Sequence, residues 1–222
     1  MNQETWSAVD DYICDLLVSN DAVLDAAIAA SDAAGLPQIA VAPNQGKLLH
    51  ILARLMGART ILEIGTLGGY STIWLARALP PGGRLITLEA DAKHAAVARA
   101  NIERAGLALL VDLRLGPALA TLPQLSGPFD FIFIDADKES NADYFGWALK
   151  LSRRGSLIVV DNVVRDGLVI EAASTDPLIQ GTRRLYEAMA VEPRVAATII
   201  QTVGRKGHDG LALALVTQAP DA

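Results

Sequence analysis

Apolar residues recur at helical spacing from Trp6 to about Ala34, through Val9, Ile13, Leu16 and Leu17 and then Val23, Leu24, Ala27 and Ile28. Asn20 and Asp21 interrupt that stripe and supply a cap, so the pattern predicts two helices ahead of the core. Gly35, Pro37 and Pro43 punctuate the next stretch, and a third helix runs from Gln45 to Met56 and stops at Gly57. From Thr60 short apolar runs alternate with helical segments. They are Ile61 to Ile64, Ser71 to Leu79, Arg84 to Leu88, Ala92 to Ala105, Val111 to Leu115 and Phe129 to Ile134. Such alternation predicts βαβ units and a parallel sheet.

Leu157 to Val160 is continuous and apolar, as a strand covered on both faces should be. A helix near Pro177 to Met189 follows, and then Val195 to Val203 and Leu211 to Val216, joined by Gly204 to Gly210. That connection predicts two adjacent antiparallel strands, hence a mixed sheet. The expected unit is a single α/β domain over 1–222, with 1–57 as a helical cover and 58–218 as a Rossmann-like core.

Composition narrows the function. With 222 residues, 51% hydrophobic and 20% charged, the chain belongs among ordinary globular proteins. A net charge of −6 argues against tracking a phosphate backbone, so no nucleic-acid partner is expected and a small neutral or cationic ligand suits it better. Cys14 is alone, and no basic leader with an apolar core opens the sequence, which gives a cytoplasmic expectation. No apolar run approaches the roughly 20 residues of a membrane span.

Candidate chemistry sits at strand ends. Glu63-Ile-Gly65-Thr-Leu-Gly68-Gly69-Tyr-Ser71 lies between an apolar run and a helix, where a nucleotide-binding loop belongs. It is not G-x-G-x-x-G, and Glu63 stands where a pyrophosphate would want positive potential. A cationic, phosphate-free ligand such as S-adenosylmethionine fits better. Glu89 ends the second strand, 24 residues after Gly65, where a carboxylate can accept from ribose hydroxyls. The plainer alternative is a simple turn flanked by surface acids.

Asp135-Ala-Asp137-Lys138 follows the fourth strand and Asp161-Asn162 the fifth, so Asp135, Asp161 and Asn162 can converge as oxygen ligands for Mg²⁺ or a similar cation. Seen singly, either pair is as readily a helix cap. A dication holding both oxygens of an ortho-diol would stabilise the phenolate, with Lys138 as the general base.

Read together, these motifs resemble the cation-dependent O-methyltransferases, which include catechol and caffeoyl-CoA O-methyltransferases and their bacterial relatives. The resemblance runs from about Val41 to Val216. It implies a seven-stranded sheet, mostly parallel with the last strand antiparallel, helices on both faces, and a homodimer. It also implies a S-adenosylmethionine pocket lined by Val41, Glu63, Gly65, Thr66, Ser71, Glu89, Ala118 and Asp135. The implied metal ligands are Asp135, Asp161 and Asn162, taking Mg²⁺ or another divalent cation (Mn²⁺, Ca²⁺), and Lys138 is the implied base beside Asp135.

The implied acceptor is a small aromatic diol of a class left open among catechols, caffeoyl esters and flavonoids. Glu192-Pro193-Arg194 and Asp209-Gly210 match late landmarks of the family. Leu67 and Asn141 stand where relatives often carry tyrosine, and Arg165 where an apolar residue is common; these departures bear on the acceptor. Two other readings remain: an NAD-dependent oxidoreductase and a non-catalytic S-adenosylmethionine-binding protein.

Remaining residues have bland assignments. His50 reads as core or interface, His94 as surface and His208 as a residue at the acceptor entrance. Trp74, Trp147 and Met56 read as packing, and Lys150, Arg153 and Arg154 as a solvated helix end.

Overall fold

The structure, a computed structural model, describes residues 2–18 and 20–218. Seven strands form one sheet in the order β3-β2-β1-β4-β5-β7-β6. The strands are β1 (Thr60–Ile64), β2 (Arg84–Glu89), β3 (Val111–Leu115), β4 (Phe129–Ile134), β5 (Ser152–Asp161), β6 (Val195–Gly204) and β7 (Gly207–Val216). The first five are mutually parallel; β7 runs antiparallel to both β5 and β6. Helices α1 (Gln3–Leu17), α2 (Ala22–Ala33), α3 (Pro43–Leu55), α4 (Tyr70–Ala76), α5 (Ala92–Arg104), α6 (Ala118–Thr121), α7 (Asn141–Lys150) and α8 (Pro177–Val191) surround it.

The central strands are apolar without alternation because helices cover both faces. Leu62, Ile64, Ile132, Ile134, Ile158 and Val160 point to one side, where α7 and α8 supply Phe145, Ala148, Leu185 and Met189. Their neighbours Ile61, Phe131, Phe133, Leu157 and Val159 point to the other, against Leu24 and Ala27 of α2, Leu49 of α3, Ile73 of α4 and Ala98 of α5. The expected Asp21 cap is present: its side chain accepts from the amides of Val23 and Leu24.

Four expectations are corrected. The β5 strand begins at Ser152 rather than Leu157, with a register shift opposite Phe129 and Phe131. Arg153 and Arg154 therefore lie in a strand, not at a helix end, and the Arg153 guanidinium grips Asp130 at 2.6 Å. The Gly204 to Gly210 connection is shorter than expected, because Gly204 pairs with Gly207 and only Arg205 and Lys206 form the turn. The apolar stripe of α1 is only partly covered: Val9, Leu16 and Leu17 are exposed, Trp6 and Ile13 are half-buried, and the buried residue of this helix is Asp10.

Among the described residues no helix is long and apolar enough to cross a membrane. Phe131 is fully buried at the centre of β4, and truncating such a ring removes burial and leaves a cavity. Phe131→Ala should lower the unfolding free energy by about 3–5 kcal/mol, read as a shift in the urea midpoint with little change of slope.

Candidate active site

The strand order reverses direction between β1 and β4, whose connections leave to opposite sides and open a crevice at their carboxyl ends. A cavity of about 810 Å³ occupies this place. Gly65 and Asp135 meet at its floor: the Asp135 amide donates to the Ile64 carbonyl at 2.8 Å. A Cβ on Gly65 would lie 2.0 Å from the Asp135 carbonyl oxygen, and its φ of +97° is one that L side chains rarely adopt. The close approach of the two chains therefore demands glycine.

Of the residues expected at the cofactor, Val41, Gly65, Thr66, Ser71, Glu89, Ala118 and Asp135 all line the cavity. Glu63 does not. It is fully buried behind the loop, where the hydroxyls of Ser71 (2.7 Å), Thr87 (2.7 Å) and Thr72 donate to its carboxylate. Burial pushes its pKa up to about 7 against those hydroxyl bonds, with a further push from the charge of Asp135. Glu63 thus reaches the cavity through Ser71, whose hydroxyl it orients.

Glu89 is tied to the loop as well as facing the cavity. One oxygen accepts from the amides of Thr66 (3.2 Å) and Leu67 (2.8 Å), the other from that of Asp91 (2.9 Å). These bonds hold the chain after β1 in a turn that gives Leu67 a φ of +50°. His94, expected at the surface, instead lines the cavity with Nδ1 3.5 Å from Glu89. Its helix starts at the carboxyl end of β2, which turns it inward.

The second group of expected residues also comes together. Lys138, buried, donates from Nζ to Asp135 at 2.8 Å. Asp161 is buried at the end of β5, and its oxygens accept from the Asn162 amide (2.7 Å) and from the Gln45 side chain (2.7 Å). Burial raises the Asp161 pKa, and the neighbouring Asp135 charge raises it further while Lys138 opposes. Asn162 lines the cavity with φ +56°, a left-handed conformation asparagine tolerates better than most residues.

Asp137 plays a different part from Asp135, since it accepts from the Tyr144 hydroxyl and precedes a short 3-10 turn. It anchors Tyr144 at the cavity wall and not Lys138, a difference that sequence spacing alone does not reveal.

Among the described residues no cluster of three or more histidine, cysteine or carboxylate side chains could hold a metal. A cation here would rest on two carboxylates and an amide. That donor set is all oxygen, as a hard divalent ion requires, and two close acids in a buried place are offset by one lysine. The residues fit the group.

Several residues missed by sequence reasoning complete the site. Gln45 arrives from the first turn of α3, and Lys206 and Arg205 from the hairpin turn; all are distant in sequence from the motifs they join. Of the departures noted above, Leu67 and Arg165 line the cavity, whereas Asn141 is fully buried off its wall and does not shape the pocket. His208 lies in β7 and faces Gln201 at 2.9 Å, also off the wall.

The family model for O-methyltransferases matches residues 18–216. A catechol O-methyltransferase of Niastella koreensis is 56% identical over 220 residues, covering 97% of this chain and all of its own. One from Mycobacterium tuberculosis is 57% identical, covering 94% of each chain. A crystal structure of the O-methyltransferase from Bacillus cereus in complex with SAH superposes with a TM-score of 0.96 at 57% identity, covering 97% of this chain and 100% of that one.

Glu63 generates a pH dependence. Its pKa of about 7 in the folded chain lies above the ordinary 4.5, so its stabilising share is full below 4.5 and is lost as pH rises through about 7. Urea unfolding at pH 5, 6.5 and 8 should show Glu63→Gln gaining on the wild type as pH rises, by up to roughly 3 kcal/mol. Parallel profiles for the two proteins would show that Glu63 is ionised throughout.

Proposed function

The chain belongs to the O-methyltransferase family, and from that premise we propose that it methylates one hydroxyl of a small aromatic ortho-diol, using S-adenosylmethionine and a divalent cation. The observation that carries this reading is that Asp135, Lys138 and Asn162 line one cavity beside the Gly65 loop, while Asp161, buried off that lining, adjoins Asn162 within the field of Asp135. Family membership sets aside the dinucleotide alternative. The catechol O-methyltransferase names of the relatives support an aromatic diol.

S-adenosylmethionine supplies the methyl group and the positive sulfonium that activates it. We assign its place to the cavity walls formed by Val41, Gly65, Thr66, Ser71, Glu89 and Ala118. Glu89 offers oxygens to hydroxyls, and Ser71, oriented by Glu63, offers a donor and acceptor at the cationic end. His94, against Glu89, limits how that carboxylate can turn.

Asp135, Asp161 and Asn162 would hold the cation, which supplies the charge that favours an ionised diol oxygen. Gln45 fixes the Asp161 carboxylate from the side of α3, and Asn162, in a left-handed turn, lines the cavity next to it. Lys138 is the proton acceptor. It stands on the 3-10 turn after β4, fixed to Asp135, so that a hydroxyl entering beside that carboxylate meets the amine. Pro37, Ile39 and Leu178 add apolar wall to the same cavity, against which an aromatic ring can pack.

The functional unit proposed is one domain over 1–222 whose first 57 residues cover the core. The exposed apolar residues of α1, with Leu48, Ile51 and Leu55 of α3, support pairing of two copies.

Mass spectrometry of a mixed diol library incubated with S-adenosylmethionine and Mg²⁺ should show single methylation that EDTA abolishes. Lys138→Met should lower kcat by about 10²- to 10⁴-fold, and Asp161→Ala with Asn162→Ala should leave no cation-dependent turnover. Full, chelator-insensitive turnover in the double variant would sink the metal-assisted reading.

A further inference from the structure

The β6–β7 hairpin overhangs the edge of the sheet where the cavity lies. Asp161 at the end of β5 pairs with Leu211, so Gly207 lies four residues beyond that strand end, roughly 13 Å at about 3.3 Å per residue. The turn residues Arg205 and Lys206 thereby become part of the cavity wall.

This overhang is held from the N-terminal helix. The Asp10 carboxylate accepts from the Arg205 amide at 2.8 Å and from the Asn44 side chain at 2.8 Å, and Gln3 donates to the Gly204 carbonyl at 2.9 Å. The Arg205 guanidinium pairs with Asp11, which neutralises it.

Lys206 is different. Its ammonium donates to the Gln38 carbonyl at 2.9 Å, and among the described residues no carboxylate lies within ion-pair distance. Two of its three donors remain available. Burial pushes its pKa down, Asp135 pulls it up, the adjacent Arg205 charge pushes it down and Asp161 pulls it up, so the ammonium feels both acids and its cationic neighbour.

Arg165 completes the arrangement from the loop after β5. Its amide donates to Asp209 at 3.1 Å, but its guanidinium stands 4.0 Å from that carboxylate and its buried Nε has no hydrogen-bond partner. A half-committed guanidinium and an ammonium without a carboxylate thus line the same cavity as Asn162.

We propose that the acceptor is an ortho-diol bearing a carboxylate on the side of the ring away from its hydroxyls, with Lys206 and Arg165 receiving that carboxylate. The inference rests on the methyl-transfer reading of the site. It reverses what the whole-chain charge of −6 suggests, because the local cations decide the encounter at short range. An amine at the same place would face two positive groups, so the pair selects against aminated diols as well as for carboxylated ones.

Calorimetric titration tests this on the full chain loaded with S-adenosylhomocysteine and Mg²⁺. The probes are 3,4-dihydroxybenzoate, unsubstituted catechol and 3,4-dihydroxyphenethylamine. The benzoate should bind about tenfold tighter than catechol, equivalent to 1.4 kcal/mol, and the amine weaker than both. Lys206→Gln should close most of the gap between benzoate and catechol, and Lys206→Arg should keep it. Equal or weaker benzoate binding in the wild type, or an unchanged gap in Lys206→Gln, overturns the proposal. Methylation assays on the same probes separate the two readings. A benzoate preference without turnover of any diol would remove the enzymatic reading and leave only a carboxylate-binding pair at Lys206 and Arg165, whereas turnover of catechol without a benzoate preference would keep the enzymatic reading and overturn this proposal.

Discussion

At the floor of the cavity two backbones come closer than any side chain permits. Gly65 sits against the Asp135 carbonyl with no room for a Cβ, and everything the site does depends on that contact. It lets β1 and β4 end side by side while their connections turn to opposite faces of the sheet. The crevice that results receives the loop after β1 on one side and the acids after β4 and β5 on the other. A bulkier residue at Gly65 would push these two halves apart and separate a donor's methyl from the acceptor's hydroxyl.

Packing these halves together brings several charges out of water, each compensated in its own way. Glu63 is surrounded by hydroxyl groups rather than by a cation. Glu89 takes three backbone amides, two of them in the loop after β1, which makes it a clamp on that loop as well as the cavity-facing acid it was expected to be. Asp135 has Lys138, while Asp161 has two neutral donors and an acid neighbour. Placing the buried Asp161 beside Asp135 is costly, and the Lys138 ammonium is a positive group that offsets it.

The N-terminal helix and the terminal hairpin act as one wall. The buried residue of α1 is an acid, Asp10, and its partners lie on α3 and on the turn between β6 and β7. Polar bonds therefore help to hold this helix in place, and Val9, Leu16 and Leu17 of its hydrophobic stripe stay exposed. The same turn presents Lys206 to the cavity, so the elements farthest apart in the chain set the charge that an acceptor meets.

The sequence by itself determined the order and kind of the elements and the strand-end residues that carry the chemistry. Runs such as Phe129 to Ile134 are apolar enough to be strands between helical layers, and local punctuation placed Gly65, Glu89, Asp135, Lys138, Asp161 and Asn162 at their ends. Those features depend on short-range periodicity, which is written along the chain. Only the tertiary structure decided that Glu63 lies behind the cavity and Glu89 on its wall, that Asp137 holds Tyr144 while Asp135 faces Lys138, and that His94 turns inward. Gln45, Asp10, Arg165 and Lys206 carry no local signal of their roles. Each acquires its role from a partner or a wall supplied by another part of the chain, and such pairings exist only once the sheet has closed on its helices.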